Sequence, residues 1–124
     1  MSYDSGNIFA KIIRKEIPCN MVYEDDEVLA FHDIHPAAPV HVLVLPKGEF
    51  RSFDDFVDHV DHGVVARFFA AVKKIAGSLG LQESGYRLIA NHGSDASQTV
   101  PHFHMHILGK RKLGALVSGD SHHS

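Results

Sequence analysis

The run His102-Phe103-His104-Met105-His106-Ile107-Leu108 constrains this chain more than any other stretch. Side chains alternate across a β-strand with period two. An extended backbone therefore sends His102, His104 and His106 to one face and Phe103, Met105 and Ile107 to the other. In a helix, His104 would point away from the other two imidazoles. The spacing predicts a strand over His102–Leu108, stopped by Gly109. Its apolar face can join a core, while three imidazoles line about 13 Å of the opposite face.

Other segments supply partners for that strand. Asn7 to Glu16 reads as a short helix, with Ile8, Phe9, Ile12 and Ile13 at helical spacing. Ser5 or Asn7 can cap it, and Pro18 is expected to stop it. Met21–Glu24 and Val28–His32 read as strands about an acidic turn. Val40 to Leu45 is nearly all apolar and β-branched, the pattern of a central strand, with Pro46-Lys47-Gly48 ending it. His41 interrupts that run on the face of Leu43 and Leu45. Ser52–Val60 reads as a short helical turn. His62–Leu79 forms the longest helix, with one apolar stripe and Gly80 at its C-terminal end. Tyr86–Ala90 is a further strand, followed by the polar loop Asn91–Thr99. The order implies an α+β domain, with a mainly antiparallel sheet of about five strands, a short N-terminal helix and one long helix. At 124 residues the chain is expected to be a single domain over 1–124, with 1–6 and 118–124 as mobile tails.

Composition narrows the function. With 12 Lys+Arg against 15 Asp+Glu, the net charge of −3 gives no basic field for nucleic acid or anionic lipid. A single cysteine excludes an intrachain disulfide framework. No apolar run approaches the ~18 residues of a membrane span. The polar, acidic N-terminus does not read as a secretory signal, so a cytoplasmic setting is expected. Eleven histidines are an excess over the about six that uniform usage would give.

Three uses of the histidine row can be weighed. It could be a polar strand face without function, although three imidazoles in register repel once charged. It could hold a metal, since neutral imidazoles ligate Zn²⁺, yet no Cys or carboxylate lies beside it at ligand spacing. Or it could carry phosphorus chemistry, with one neutral imidazole attacking and its neighbours donating hydrogen bonds to the non-bridging oxygens. The Gly/Ser loop just before the row offers backbone N–H groups to the same oxygens. His41, set among Leu and Val, needs a polar partner, and the row can provide one.

The row matches the His-x-His-x-His-x-x signature of the histidine triad (HIT) superfamily. The resemblance extends from Asn7 to Gly109. Asn7–Pro18 resembles the opening helix of the histidine triad nucleotide-binding branch. Phe31-His32-Asp33-Ile34 followed by Pro39–Lys47 resembles its central block, and Asn91-x-Gly-x-Asp-x-x-Gln98 its phosphate loop. The resemblance implies a homodimer whose two sheets join into one, and an enzyme that hydrolyses purine nucleoside phosphoramidates through a nucleotidyl-histidine intermediate. It implies His104 as nucleophile, fixed in its tautomer by a backbone carbonyl, and His106 against the α-phosphate. His102 and His41 would orient their neighbours. Asp33 would accept from the ribose hydroxyls. Ile8, Phe9, Ile17, Phe31 and Ile34 would frame the purine, and Asn91, Ser97 and Thr99 would line the phosphate and leaving group. Hydrolysis of dinucleoside polyphosphates is the alternative activity, and a purine-mononucleotide or metal-binding module the alternative without catalysis. No cofactor enters this chemistry.

Several positions depart from the family pattern. Ser97 stands where Gly is usual, and Gly permits φ > 0. Thr99 stands where Ser is common. Two cysteine positions of a structural zinc site known in bacterial relatives read Asn7 and Ala10, so no structural zinc is expected. The segment Lys110–Leu116 lacks the Trp-Pro-Pro-like ending of eukaryotic members. His92 could touch phosphate or solvent. His32, His35, His59, His62, His122 and His123 are expected to be ordinary. Activity is expected to fall near pH ~6.5, the ordinary imidazole range.

Overall fold

A computed structural model describes residues 2–120. The elements run α1 (Ile8–Ile13), β1 (Met21–Glu24), β2 (Val28–His32), β3 (Val40–Pro46), α2 (Phe53–His59), α3 (His62–Ser78), β4 (Tyr86–Ala90) and β5 (Met105–Gly109), with a 3₁₀ turn at Ser94–Ala96. All five strands pair antiparallel in the order β1-β2-β3-β5-β4. The fold is thus α+β with an open antiparallel sheet. Among the described residues, no helix is long and apolar enough to cross a membrane.

Strand alternation divides the core in two. Val28, Ala30, Val42, Val44, Met105 and Ile107 face α2 and α3, where they meet Phe56, Phe68, Val72 and Ile75. Phe103 joins this face, stacked on Phe56 at 5.2 Å between ring centroids. The opposite face gathers Leu29, Phe31, Leu43 and Leu45 under Phe9 of α1. His41 and His106 lie on that second face by the same alternation. Burial of one face against helices therefore fixes which way the imidazoles point.

Three expectations are corrected. The histidine row is not one continuous strand, since β5 begins only at Met105. Pro101 has no N–H, His102 N–H turns back to the Val100 carbonyl at 2.8 Å, and Phe103 N–H goes to Phe50 O at 2.8 Å. His102 and His104 thus sit on an irregular lead-in, although Phe103 keeps the expected side.

The first helix is shorter than Asn7–Glu16, and Pro18 does not end it. Asn7 caps its start, Oδ1 accepting from Ala10 N–H at 2.9 Å. At the other end Lys15 adopts φ 66°, with Lys15 N–H on Ile12 O and Glu16 N–H on Lys11 O. That is the paired C-terminal bond pattern usually built on glycine. Gly80 serves the same turn after α3, at φ 73°.

Segment 52–60 is a helix of seven residues rather than a single turn, capped by Ser52 Oγ. His122 and His123, with the rest of 121–124, lie outside the described residues.

Candidate active site

His104 is buried, 8% exposed, at the entry to β5, with Phe9 in a T-shaped contact at 4.8 Å between centroids. Its Nδ1 lies 2.7 Å from the His102 carbonyl oxygen. A carbonyl only accepts, so Nδ1 carries the proton. In a neutral ring this leaves Nε2 with a free lone pair, as a nucleophile needs.

His41 and His106 form a second unit. The Ala37 N–H donates to His41 Nδ1 at 3.0 Å, so the His41 proton sits on Nε2. That atom lies 2.8 Å from His106 Nδ1. His106 must therefore accept there and carry its own proton on Nε2, where it can donate to an oxygen of a bound group. The His104 and His106 rings are neighbours at 5.2 Å. An imidazole nitrogen with a free lone pair and an N–H donor are thus carried by neighbouring rings on alternate residues.

Asp33 follows β2 and stands 3.5 Å from His41 Nε2 through Oδ2. That is an electrostatic contact rather than a hydrogen bond. Its Oδ1 accepts from His35 N–H at 2.8 Å, which fixes the carboxylate in a local turn. One carboxylate oxygen is thus tied to the backbone and the other faces the imidazoles.

His102 differs from the rest of the row. It is fully buried, with Nε2 2.8 Å from Pro46 O and Nδ1 2.6 Å from the Tyr3 hydroxyl. Both nitrogens are spent inside the protein. The three imidazoles consequently do not present a common ligand face.

Burial disfavours the charged form of all four rings. It lowers His102 to about 4, against the pull of the Pro46 carbonyl. His106 also falls to about 4, through burial first and then the neighbouring His104 and His41. His104 is lowered by burial, opposed by its bond to the His102 carbonyl and by Asp33. His41 is lowered by burial, opposed by Asp33. The cluster is neutral at pH 7, which keeps the tautomers just derived.

The loop before the row is held by Gln98. Its Oε1 accepts from Gly93 N–H at 3.0 Å, and its Nε2 donates to Arg51 O at 2.7 Å and Val100 O at 3.1 Å. Ser97 takes the left-handed conformation, φ 59° and ψ 40°, the backbone state for which glycine is suited. Thr99 and His92 border an open groove beside this loop, and His92 faces Asp54 at 3.7 Å. Asn91 follows β4 and borders the groove along that strand.

The apolar residues expected around a purine divide. Phe9 and Phe31 are in edge contact at 5.8 Å and are buried with the second core. Ile17 is half-buried, Ile8 is 46% exposed and Ile34 is 82% exposed. Phe9 alone of the five is in ring contact with His104. Ile8 and Ile34 are free to meet a ligand.

The match to known proteins agrees with this geometry. A family model for the HIT domain matches residues 14–113. The chain belongs to the HIT family. It is 46% identical to a HIT-like protein of Azospirillum brasilense over 94% of this chain and 96% of that one. It is 44% identical to the purine nucleoside phosphoramidase of Escherichia coli, over 90% of this chain and 92% of the relative. Among solved structures, a HIT family hydrolase from Legionella pneumophila superposes with a TM-score of 0.83 at 41% identity, covering 88% of this chain and 96% of that one. A histidine triad protein from Clostridium difficile gives 0.83 at 44%, covering 90% and 96%. The kinship of this HIT protein is thus with hydrolases.

Sequence reasoning missed Ala37, Pro46 and Tyr3, because the first two act through backbone atoms and the third lies 99 residues from its partner. Among the described residues, Asp33, His41 and His106 bring possible ligand atoms within 4.8 Å of one another. Two nitrogens of this group, His41 Nε2 and His106 Nδ1, are joined by a hydrogen bond at 2.8 Å. A cation ligated by both of these nitrogens would have to displace the proton between them.

Proposed function

We propose that this HIT protein hydrolyses purine nucleoside phosphoramidates through a nucleotidyl intermediate on His104. The observation that carries the reading is the bond from His104 Nδ1–H to the His102 carbonyl, which leaves the Nε2 lone pair free in a buried, neutral ring. Nε2 attacks phosphorus and forms a P–N bond. The substrate P–N bond breaks, and the departing nitrogen takes up a proton and leaves as the amine. Water then attacks phosphorus and gives up a proton, which balances the one the amine took; the P–Nε2 bond breaks, and a nucleoside monophosphate leaves with His104 restored.

His106 donates its Nε2–H to a non-bridging oxygen, where negative charge builds in the transition state. His41 holds that donor in its tautomer. Asp33 accepts from the ribose hydroxyls. Phe9 and Phe31 form the floor of the purine slot, with Ile8, Ile17 and Ile34 at its sides. Asn91, Ser97 and Thr99 border the phosphate and the leaving amine. The similarity to a purine nucleoside phosphoramidase supports this substrate class over dinucleoside polyphosphates. The proposed steps use only side chains of this protein and water.

The decisive experiment is trapping. Protein is mixed with an adenylate amide, quenched and mass-analysed. An adenylate on His104 is expected, and His104→Ala should abolish both adduct and turnover. Unchanged turnover in that variant would sink the mechanism, and a faster reaction with a dinucleoside polyphosphate would transfer it to the other substrate.

The same reading pairs two chains. β4 is an edge strand, and Tyr86 and Leu88 on it are 38% and 40% exposed. An apolar, unpaired edge is a ready partner for a second copy. Light scattering should give twice the 13.7 kDa chain mass, and Leu88→Glu should halve it. A monomeric wild type overturns the pairing. The exposed thiol of Cys19 suits a reducing cytoplasmic setting.

A further inference from the structure

Tyr3 lies ahead of every regular element, yet its hydroxyl oxygen is 2.6 Å from His102 Nδ1. Its ring meets the imidazole edge-on, 5.7 Å between centroids and 72° between planes. The contact is directional. The His102 Nε2–H donates to the Pro46 carbonyl, so Nδ1 carries a lone pair and the Tyr3 O–H donates. Burial raises the Tyr3 hydroxyl above its ordinary pKa, so it keeps the proton this bond needs. His102 is fully buried, so no solvent can replace that donor without rearrangement.

The segment holding Tyr3 is itself anchored. Asp4 Oδ1 accepts from Gly6 N–H at 2.8 Å, and the Asp4 carbonyl accepts from Asn7 Nδ2 at 2.7 Å. Arg14 donates to the Ser5 carbonyl at 2.8 Å. These bonds tie residues 4–7 to α1, so the placement of Tyr3 is set by the same helix that supplies Phe9.

We propose that Tyr3 is a positioning residue of the active site, clamping His102 from the side opposite Pro46 and thereby fixing the carbonyl that holds His104 in its nucleophilic tautomer. The inference rests on the reading of His104 as nucleophile. The chain of contacts is continuous: Tyr3 hydroxyl to His102 Nδ1, His102 carbonyl to His104 Nδ1–H, leaving Nε2 for phosphorus. With the hydroxyl gone, the buried Nδ1 has a lone pair and no donor. The ring then gains reason to turn or to exchange tautomers, and its own carbonyl moves with it. His104 would spend part of its time with the proton on Nε2, which cannot attack.

Tyr3→Phe isolates the hydroxyl because the ring packing stays. Three measurements are made: kcat and KM on an adenylate amide well below each protein's unfolding midpoint, the midpoint itself, and the imidazole ¹⁵N resonances of His102 and His104 without substrate. The expected result is a kcat lower by about tenfold with KM unchanged, a scale set by the loss of an orienting partner. Both histidines should shift their ¹⁵N signals toward tautomer averaging. A lower midpoint with kcat and the His104 signals unmoved would make Tyr3 merely structural and overturn the proposal. So would a rise in KM alone. If wild type turns over no phosphoramidate while Tyr3→Phe still moves the His104 resonances, the substrate reading fails and the clamp stands.

Discussion

His41 Nε2 sits 2.8 Å from His106 Nδ1, and this bond decides which nitrogen of His106 can donate. It is oriented from behind by the Ala37 N–H on His41 Nδ1. His41→Ala should leave His106 free to place its proton on either nitrogen. The expected cost is about tenfold to hundredfold in kcat, the scale of a misplaced transition-state donor, and less than the loss in His104→Ala. His41→Gln can present an amide N–H to the same atom and should recover part of the activity. Full activity in His41→Ala would remove His41 from the machinery.

Asp33 raises the basicity of His41, His104 and His106 through its charge while burial lowers it. Asp33→Asn removes that opposition. The acid limb of kcat/KM should therefore move to lower pH, and KM for ribonucleotide amides should rise as a neutral amide with a single accepting oxygen replaces the charged carboxylate facing the diol. A limb that moves to higher pH would contradict the electrostatic part. An unchanged KM would contradict the ribose part.

How far the sequence disclosed this site depends on which atoms do the work. Side-chain placements were legible: the alternation around His104 placed Phe103 in the core and His106 opposite it, and His41 among Leu and Val called for the polar partner it has in His106. The need for glycine-like backbone at position 97 was also legible, and Ser97 is left-handed. Backbone roles were not. Nothing in the residue types at 37 or 46 marks an amide that orients His41 or a carbonyl that orients His102. The break in β5 before Met105 was hidden because alternation reads the same through an irregular segment, and only Pro101 hinted at it. The end of α1 was misplaced because the left-handed turn is taken by Lys15, a residue without glycine's signal.

Burial holds His104 below its ordinary value of 6.5. The free lone pair on Nε2 therefore survives at pH values where an exposed imidazole would be protonated. The acid limb of kcat/KM is expected below pH 6.5 rather than at the ordinary imidazole value. A pH–rate profile on the adenylate amide checks this, and a half-maximal point at or above 6.5 would refute it.

The same burial makes the fold sensitive to acid. In the unfolded chain His102 takes a proton near pH ~6.5, whereas in the folded protein it resists until about 4. Between these values the unfolded state binds more protons, so stability is full above the upper value and falls as pH descends toward the lower one. His102 alone accounts for about 3 kcal/mol of that loss by the time both states are protonated. His106 adds to it in the same window. Urea unfolding from pH 7 to 4 should show the midpoint dropping steadily, and a midpoint that holds level to pH 4.5 would contradict the buried neutral cluster.

Ser97 holds φ 59° and ψ 40° on an exposed loop position. A side chain in that conformation costs roughly 1–2 kcal/mol, while glycine's greater freedom in the unfolded chain returns about 0.5–1 kcal/mol of any gain. Ser97→Gly should therefore stabilise the protein by about 0.5–1 kcal/mol. The loop keeps its frame in the variant, because Gln98 still ties Gly93, Arg51 and Val100 and Ser97 N–H bonds through its backbone to Ser94 O at 3.0 Å. Ser97→Ala is the matched control: it keeps a Cβ in the left-handed region and should show no gain. Urea midpoints of the three proteins decide the matter. A glycine variant no more stable than wild type would mean that the backbone at 97 carries no strain to relieve.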